Sequence, residues 1–309
     1  MAVTGVPANA ALPNEEGTFH AETQGDQGVY SPYRPSSAYQ AGNLSIHLTA
    51  WTDWQHGIWL SLNNGAAFRI TTSENTSAPP TVISRGNGFM VFHTGQGGQI
   101  YYAVVNSNGS NDGTWRAVPN ARTRDYTPVG ATTGFGGRGV LAWRGATTDN
   151  IYITSVDGTT NSWNTPVQAP GATTYTAPAI TYNTATDSYL VAHVGTDTHM
   201  YTAISDYPYY NNQRWTPWTS HGGNAYGQPA VAPLNNGHWV AAVMGGDQRV
   251  WQQELDPNGV SYSGTNWGQE STATPVGTVP WLVYNAARVW LLISTYNQGQ
   301  IMWKQTVRE

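Results

Sequence analysis

Short runs of apolar and aromatic residues, separated by Gly, Asn and Asp, recur along the whole chain. One example is Tyr189-Leu-Val-Ala-His193, followed by Gly195-Thr-Asp197 and then by Met200-Tyr-Thr-Ala-Ile204. Runs of this length, joined by such turns, predict antiparallel β-hairpins. Helical periodicity is absent, so we predict an all-β protein.

Three landmarks recur in phase and divide the chain into units of about 50 residues. The first is an apolar residue followed by an aromatic one, at Ile58-Trp59, Ile100-Tyr101, Ile151-Tyr152, Met200-Tyr201, Val250-Trp251 and, more weakly, Ile301-Met302. The second is an aromatic residue that opens the next strand, at Phe68, Trp115, Trp163, Trp215 and Trp267. The third is a proline before the following unit, at Pro80, Pro128, Pro178, Pro229 and Pro280. Four short strands per unit have the size of a propeller blade, so the repeat predicts a closed, six-bladed β-propeller.

The two ends of the chain are expected to meet in the sixth blade. The last unit, from Pro280 to Lys304, has three predicted strands and lacks the fourth. Because Val29-Tyr30-Ser-Pro-Tyr33 precedes the first full set of strands, we predict that residues 28–35 supply the missing strand and leave no exposed edge. Residues 1–27 are then a flexible lead-in to a single domain over 28–309. The lead-in lacks the layout of a signal peptide, which leaves a secreted and a cytoplasmic location both open.

Composition narrows the possible partners. Charged residues make up 10% of the chain, the net charge is -5, and the basic residues are scattered, which argues against nucleic acid. No apolar run approaches about 18 residues, so insertion into a membrane is not expected. The absence of cysteine and of paired-histidine spacings predicts no metal and no cofactor. The oligomeric state is left open.

The 14 tryptophans exceed what a core of this size needs, so some are expected to be exposed for binding. A sugar site needs a flat apolar face and fixed polar groups. The predicted ends of the second strands offer both at equivalent positions: Trp51 with Asp53 and Trp54, His93, Trp143 with Arg144, His193 with Asp197, and Tyr296. One blade breaks this series with Val243 and Met244. The aromatic residues that open the third and fourth strands are assigned to packing between blades, and the aspartates of the turns have a turn role as their alternative to a ligand role.

Three turns share the order Gly, Asp, apolar, aromatic: Arg144-Gly-Ala-Thr-Thr-Asp-Asn-Ile-Tyr152, Val194-Gly-Thr-Asp-Thr-His-Met-Tyr201 and Met244-Gly-Gly-Asp-Gln-Arg-Val-Trp251. With the Trp-x-x-Trp strand that ends in Gly-Gly at Arg214–Gly223, they resemble the repeat of the Photorhabdus-type (PLL-like) β-propeller lectins, over about residues 78–304. The resemblance implies several sites for fucose and related sugars around the ring, and glycans on cell surfaces as partners. Those lectins usually have seven blades, whereas this repeat gives six. Six-bladed fucose lectins of the fungal type share the architecture but match the strand motifs less well.

Three functions remain open at this point. The leading one is a non-enzymatic lectin whose several shallow, repeated sites gain avidity from the ring. The second is a glycosidase or polysaccharide lyase, which would place an asymmetric cluster of acidic groups in the central channel. The third is a platform for protein interactions, which would expose a contiguous apolar patch on one face.

Overall fold

The computed structural model describes residues 20–21, 23–24, 27–28, 31–76, 78–124, 126–206, 214–262, 266–270, 275–285, 288–294 and 299–308. Within these ranges the regular structure is antiparallel β-strand, apart from two single-turn 3-10 helices at Gln96–Gly98 and Phe135–Gly137. The described part of the chain contains no helix that is long and apolar enough to cross a membrane.

The strands form six blades and one small hairpin. The first described residues form β1 (His20–Ala21) and a hairpin of β2 (Thr23–Gln24) with β3 (Gln27–Gly28). Blade 1 comprises β4 (Ser36–Gln40), β5 (Asn43–Thr52) and β6 (Ile58–Leu62). Blade 2 comprises β7 (Thr81–Arg85), β8 (Gly88–Thr94), β9 (Gln99–Asn106) and β10 (Arg116–Arg122). Blade 3 comprises β11 (Gly130–Thr133), β12 (Gly139–Arg144), β13 (Asn150–Val156) and β14 (Val167–Thr173).

The remaining three blades repeat this order from the inner strand to the outer one. Blade 4 comprises β15 (Ala179–Asn183), β16 (Ser188–Val194), β17 (Met200–Ser205) and β18 (Thr219–Ser220). Blade 5 comprises β19 (Ala225–Pro233), β20 (Trp239–Gly245), β21 (Val250–Leu255) and β22 (Gly268–Gln269). Blade 6 comprises β23 (Trp281–Asn285), β24 (Arg288–Ser294), β25 (Ile301–Arg308) and, as its outer strand, β1. The first strands contact one another in the cyclic order β4, β7, β11, β15, β19, β23 and back to β4. The predicted six-bladed propeller is therefore confirmed.

The hydrophobic core lies between neighbouring blades rather than inside any one of them. One cluster joins Met90 and Phe92 of blade 2 to Leu141 and Trp143 of blade 3. A single blade exposes apolar side chains on both of its faces, so it can bury them only against two neighbours. A closed ring gives every blade two neighbours, which is why the fold needs the sixth blade to meet the first.

The N-terminal closing strand is confirmed in kind but lies earlier in the chain than predicted. His20 pairs with Trp303 and Ala21 with Met302, so β1 completes blade 6 in place of residues 28–35. Residues 29–30 are outside the described ranges. The Ser31 amide nevertheless donates to the Gly299 carbonyl at 2.6 Å, which ties this segment to blade 6 without a strand. Residues 28–35 are poorly suited to a strand, because Pro32 has no amide hydrogen to donate to a neighbouring strand. The actual strand β1 has only two residues, which is too short to show an alternating pattern in the sequence. The domain boundary at residue 27 stays a prediction.

Candidate functional site

One face of the ring carries both the turns between second and third strands and the connections from each blade to the next, because the four strands of a blade alternate in direction. We call it the linker face. Among the described residues, four large aromatic side chains are exposed there: Trp54 (63%), Tyr126 (72%), Tyr175 (62%) and Tyr226 (46%). Other exposed apolar side chains, Leu44, Phe135, Val260 and Tyr262, lie on turns of the opposite face.

The rings that were predicted to bind sugar at the ends of the second strands are buried. The exposed fractions of Trp51, His93, Trp143 and His193 lie between 1% and 5%. Each of them pairs with the aromatic residue of the adjacent third strand. His193, for example, stacks on Tyr201 with ring centroids 5.4 Å apart and planes inclined by 14°. The third-strand ring is the half-buried member of each pair, so the expected exposure of the second-strand ring is corrected. Tyr296 lies outside the described residues.

The aspartates of these turns hold the third-strand rings in place. The Asp53 Oδ2 accepts a hydrogen bond from the Trp59 Nε1 at 2.6 Å, and the Asp197 Oδ2 accepts one from the Tyr201 hydroxyl at the same distance. The Tyr201 bond lowers the pKa of the Asp197 carboxyl below its usual value. In both turns the other carboxylate oxygen accepts backbone N–H groups. The turn role expected for Asp197 is therefore combined with the positioning of an aromatic ring.

Arg144 and its neighbours form a charged bridge between blade connections. The Nη2 of Arg144 lies 2.5 Å from the Asp149 Oδ1, and the Arg124 Nη2 lies 2.9 Å from the same oxygen. The Nη1 of Arg144 also donates to the Tyr175 carbonyl at 2.5 Å. The Nε of Arg144 donates to the Asp149 Oδ1 as well, at 3.1 Å, so each of its three side-chain nitrogens bonds within the protein.

The register of the fourth strands shows which aromatic residues are equivalent. Tyr101 lies opposite Ala117, Tyr201 opposite Ser220 and Trp251 opposite Gln269. Two residues before those partners stand Trp115, Trp218 and Trp267. Trp163 and Trp215 instead bridge Val156 and Ser205, at the far end of the third strands. The single series of strand-opening aromatics predicted from spacing therefore contains two different structural positions.

In blades 1 to 4 a ring occupies the second-strand position and faces a fourth-strand side chain beside the third-strand ring. His93 lies edge-on to Trp115 at 4.5 Å, and His193 lies edge-on to Trp218 at 4.7 Å. The larger Trp51 packs with the small Ala67, and in blade 3 Trp143 is matched by Pro166, two residues before the partner of Tyr152. A large ring on one strand is thus accompanied by a smaller side chain on the other.

Blade 5 departs from this complementarity and contains a pocket. The second-strand position is Val243, which pairs with Trp251, while the fourth-strand position keeps a tryptophan, Trp267. A pocket of about 460 Å³ opens between these three residues at the junction with blade 4. Its other walls are Gly222, Gly223, Asn224, Ala225, Tyr226, Gly245, Gly246 and Asp247. A Cβ at position 245 would lie 2.7 Å from the Trp251 Nε1, so only glycine lets the turn pass this close to the ring.

The pocket combines aromatic surface with a few fixed polar groups. Trp251, Trp267 and Tyr226 supply the aromatic surface, and Asn224 and Asp247 supply amide and carboxylate groups. The Asp247 Oδ1 accepts from the Arg249 amide at 3.1 Å and from the Trp251 Nε1 at 3.2 Å. The Oδ2 has no donor among the described residues, which leaves it available to a ligand hydroxyl. The described lining contains no basic side chain, so the pocket favours a neutral ligand over an anionic one.

The central channel differs from this pocket in chemistry. Its cavity of about 730 Å³ is surrounded by the inner strands of all six blades. Its described lining residues are apolar or neutral, with hydroxyl groups from residues such as Ser37, Thr132 and Thr181. The acidic cluster that a channel glycosidase requires is therefore missing from the described lining. The described ranges also contain no group of three or more His, Asp or Glu that could hold a metal ion.

Comparison with known proteins finds similarity in structure alone. No protein-family model matches the sequence, and no curated protein is significantly similar to it. The lectin of Aleuria aurantia, solved as a variant with Fucα1-6GlcNAc, superposes with a TM-score of 0.65 at 10% identity, covering 88% of this chain and 91% of that one. The SapL1 lectin, solved with α-methyl fucoside, gives a TM-score of 0.62 at 14% identity, covering 90% and 97%. A protein of unknown function from Dyadobacter fermentans gives 0.61 at 12% identity, covering 98% and 100%.

What these similarities share is the propeller. The Aleuria lectin is itself six-bladed, so the blade count of this chain agrees with the fungal type of architecture. The resemblance to the PLL-like repeat is not confirmed, because no family model matches. Sequence reasoning missed Trp251, Trp267, Tyr226, Asn224 and Asp247 as a group. The sequence does contain a signal for this group, because Val243 interrupts the series of aromatic residues and histidines at the ends of the second strands. Considered alone, that interruption suggests a site that has been lost.

Proposed function

We propose that this protein is a carbohydrate-binding lectin and that the pocket at the junction of blades 4 and 5 is a binding site for a neutral sugar. The observation that carries the proposal is the grouping of Trp251, Trp267 and Tyr226 with Asp247 and Asn224 around one cavity. An aromatic surface packs against the C–H side of a pyranose ring, and carboxylate and amide groups fix its hydroxyls. The exposed position of Tyr226 on the linker face keeps the pocket accessible to a glycan that is attached to a larger surface.

Fucose and related deoxy sugars are the proposed ligands within this class. A methyl group in place of a hydroxymethyl group increases the apolar area of the sugar, which suits a pocket walled largely by rings and glycines. The fucosides bound to the Aleuria and SapL1 lectins support this choice. A carboxylate without a basic neighbour in the described lining disfavours sialylated glycans.

The exposed aromatics on the linker face support contact with several glycans at once. Trp54, Tyr126 and Tyr175 lie on other turns and connections of the face that carries the pocket. Of the predicted ligand residues, Asp53 and Arg144 remain proposed contributors through their turns. Weak contacts at several blades would raise the avidity for a glycan-coated surface without any single tight site.

A glycan array followed by equilibrium dialysis tests the proposal. We expect binding to neutral fucosylated glycans, competition by methyl α-L-fucoside, and little binding to glycans that end in sialic acid. Absence of binding above background to every glycan would contradict the proposed function.

A further inference from the structure

We infer that the side chain at the end of the second strand decides whether a blade junction binds sugar, and that Val243 opens the site in blade 5 whereas His193 closes an equivalent latent site in blade 4. This inference rests on the proposed function and goes beyond it, since it assigns the determinant of which junctions bind. Position 243 pairs with Trp251 as position 193 pairs with Tyr201, so the two side chains occupy the same place in successive blades.

The other parts of the site are repeated in blade 4. Tyr201 corresponds to Trp251, Trp218 to Trp267, and Asp197 to Asp247. The bond that seats the fourth-strand ring is repeated as well: the Trp267 Nε1 donates to the His221 carbonyl, and the Trp218 Nε1 donates to the Pro170 carbonyl. The two exposed tyrosines are equivalent as well. Tyr175 donates its amide to the Val194 carbonyl, and Tyr226 pairs with Met244, which occupies the same place in blade 5 as Val194 in blade 4.

What differs is the space between the rings. In blade 4 the imidazole of His193 stacks on Tyr201 and meets Trp218 edge-on, so it lies between these two rings and contacts both. In blade 5 the corresponding pocket lies between Trp251 and Trp267, because Val243 has no ring to place there. The same space is thus occupied by protein in one blade and open in the next.

His193 is a better position to test than its equivalent in blade 2. The Nδ1 atoms of both histidines are buried with no hydrogen-bond partner among the described residues. His93 also lies near a carboxylate, since its Nε2 is 3.3 Å from the Glu74 Oε1. Replacing His193 therefore removes ring packing without leaving a carboxylate that has lost its contact.

The test is to close one site and open the other while counting bound sugar. Equilibrium dialysis against methyl α-L-fucoside would be run on the wild-type chain, Val243→His, His193→Val and the double variant. We expect Val243→His to bind one sugar fewer per chain, His193→Val to bind one more, and the double variant to match the wild-type number. His193→Phe is the matched control, because it keeps a ring in place; it should retain the wild-type number.

Folding is checked by near-UV circular dichroism, with Val243→Phe and His193→Ala as substitutes for any variant that fails to fold. Unchanged stoichiometry in Val243→His or Val243→Phe would overturn the inference while leaving the proposed function intact. If neither His193→Val nor His193→Ala binds an additional sugar, the claim of a latent site is overturned. A wild-type protein that binds no sugar on the array or in dialysis would overturn the proposed function, and this inference with it.

Discussion

The indole Nε1 of Trp267 donates a hydrogen bond of 3.0 Å to the carbonyl oxygen of His221, across the junction between blades 5 and 4. His221 is followed directly by Gly222, Gly223 and Asn224, which wall the pocket. This bond therefore holds the Trp267 ring of blade 5 against the segment that connects blade 4 to blade 5. Trp218 makes the equivalent bond to Pro170 at 2.8 Å.

Replacing Trp267 with phenylalanine should weaken sugar binding. The variant loses the bond to His221, and its ring is free to tilt into the pocket. We expect a loss of about 1 kcal/mol in the free energy of unfolding and an approximately tenfold weaker affinity for methyl α-L-fucoside. Trp218→Phe is the matched control, because it breaks the same bond at a junction filled by His193. It should lose similar stability and keep wild-type affinity; equal affinity losses in both variants would contradict the assignment of the pocket.

Replacing Asp247 with alanine should remove both the carboxylate and the bond that positions Trp251. We expect the affinity to fall at least tenfold, which corresponds to about 1.4 kcal/mol of binding free energy. Asp197→Ala serves as the control, since it releases Tyr201 in the same way in blade 4. Isothermal titration of both variants with methyl α-L-fucoside makes the comparison. If Asp197→Ala loses as much affinity as Asp247→Ala, the carboxylate at the pocket has no special role.

The protein should lose stability on mild acidification. Burial lowers the pKa of His193 and of His221 from 6.5 to about 4. Between pH 6.5 and 4 the unfolded chain takes up protons that the folded chain refuses. The contribution of the two neutral histidines to the free energy of unfolding is therefore fully present above pH 6.5. It falls as the pH is lowered through this window, by up to about 3 kcal/mol for each histidine.

Urea unfolding at a series of pH values would measure this effect. The variant His193→Phe with His221→Gln should show a shallower fall over the same window, because neither side chain takes up a proton in the unfolded state. Parallel curves for the wild type and the variant would show that other groups cause the acid sensitivity.

Deleting residues 1–28 should destabilise the ring. The deletion removes β1 and leaves the outer edge of β25 without its partner at Met302 and Trp303. The buried contact of the Trp281 Nε1 with the Ser37 carbonyl, at 3.0 Å, still joins blades 6 and 1. We expect a loss of about 1–2 kcal/mol with unfolding that remains cooperative. Deletion of residues 1–18, which keeps β1, is the control; equal stability of the two truncated chains would contradict the closing role of β1.

The fold could be predicted from the sequence because a propeller repeats its landmarks once per blade. Ile58, Ile100, Ile151, Met200 and Val250 all begin or lie near the start of a third strand, as their spacing indicated. The closing strand was misplaced because the pairing of His20 and Ala21 involves too few residues to create a pattern. Its position depends on which segment reaches the edge of β25, and that is a property of the assembled ring.

The sequence predicted exposed rings at the ends of the second strands, and the structure buries those rings beside the third-strand aromatics. Spacing shows that His193 and Tyr201 are neighbours, and it does not show which ring covers the other. The pocket in blade 5 arises from the combined volumes of Val243, Trp251 and Trp267, which lie in or directly before successive strands and meet only through the register of those strands. When each strand is considered separately, Val243 suggests that a ligand residue is missing. In the proposed site, its small side chain leaves the room for a ligand.

A crystal structure of the protein soaked with methyl α-L-fucoside would show directly whether the pocket in blade 5 binds the sugar. We expect electron density for the sugar against Trp251 and Trp267, with a hydroxyl within hydrogen-bond distance of the Asp247 Oδ2. Density in the central channel alone, or at the junction filled by His193 while the Val243 pocket stays empty, would contradict it.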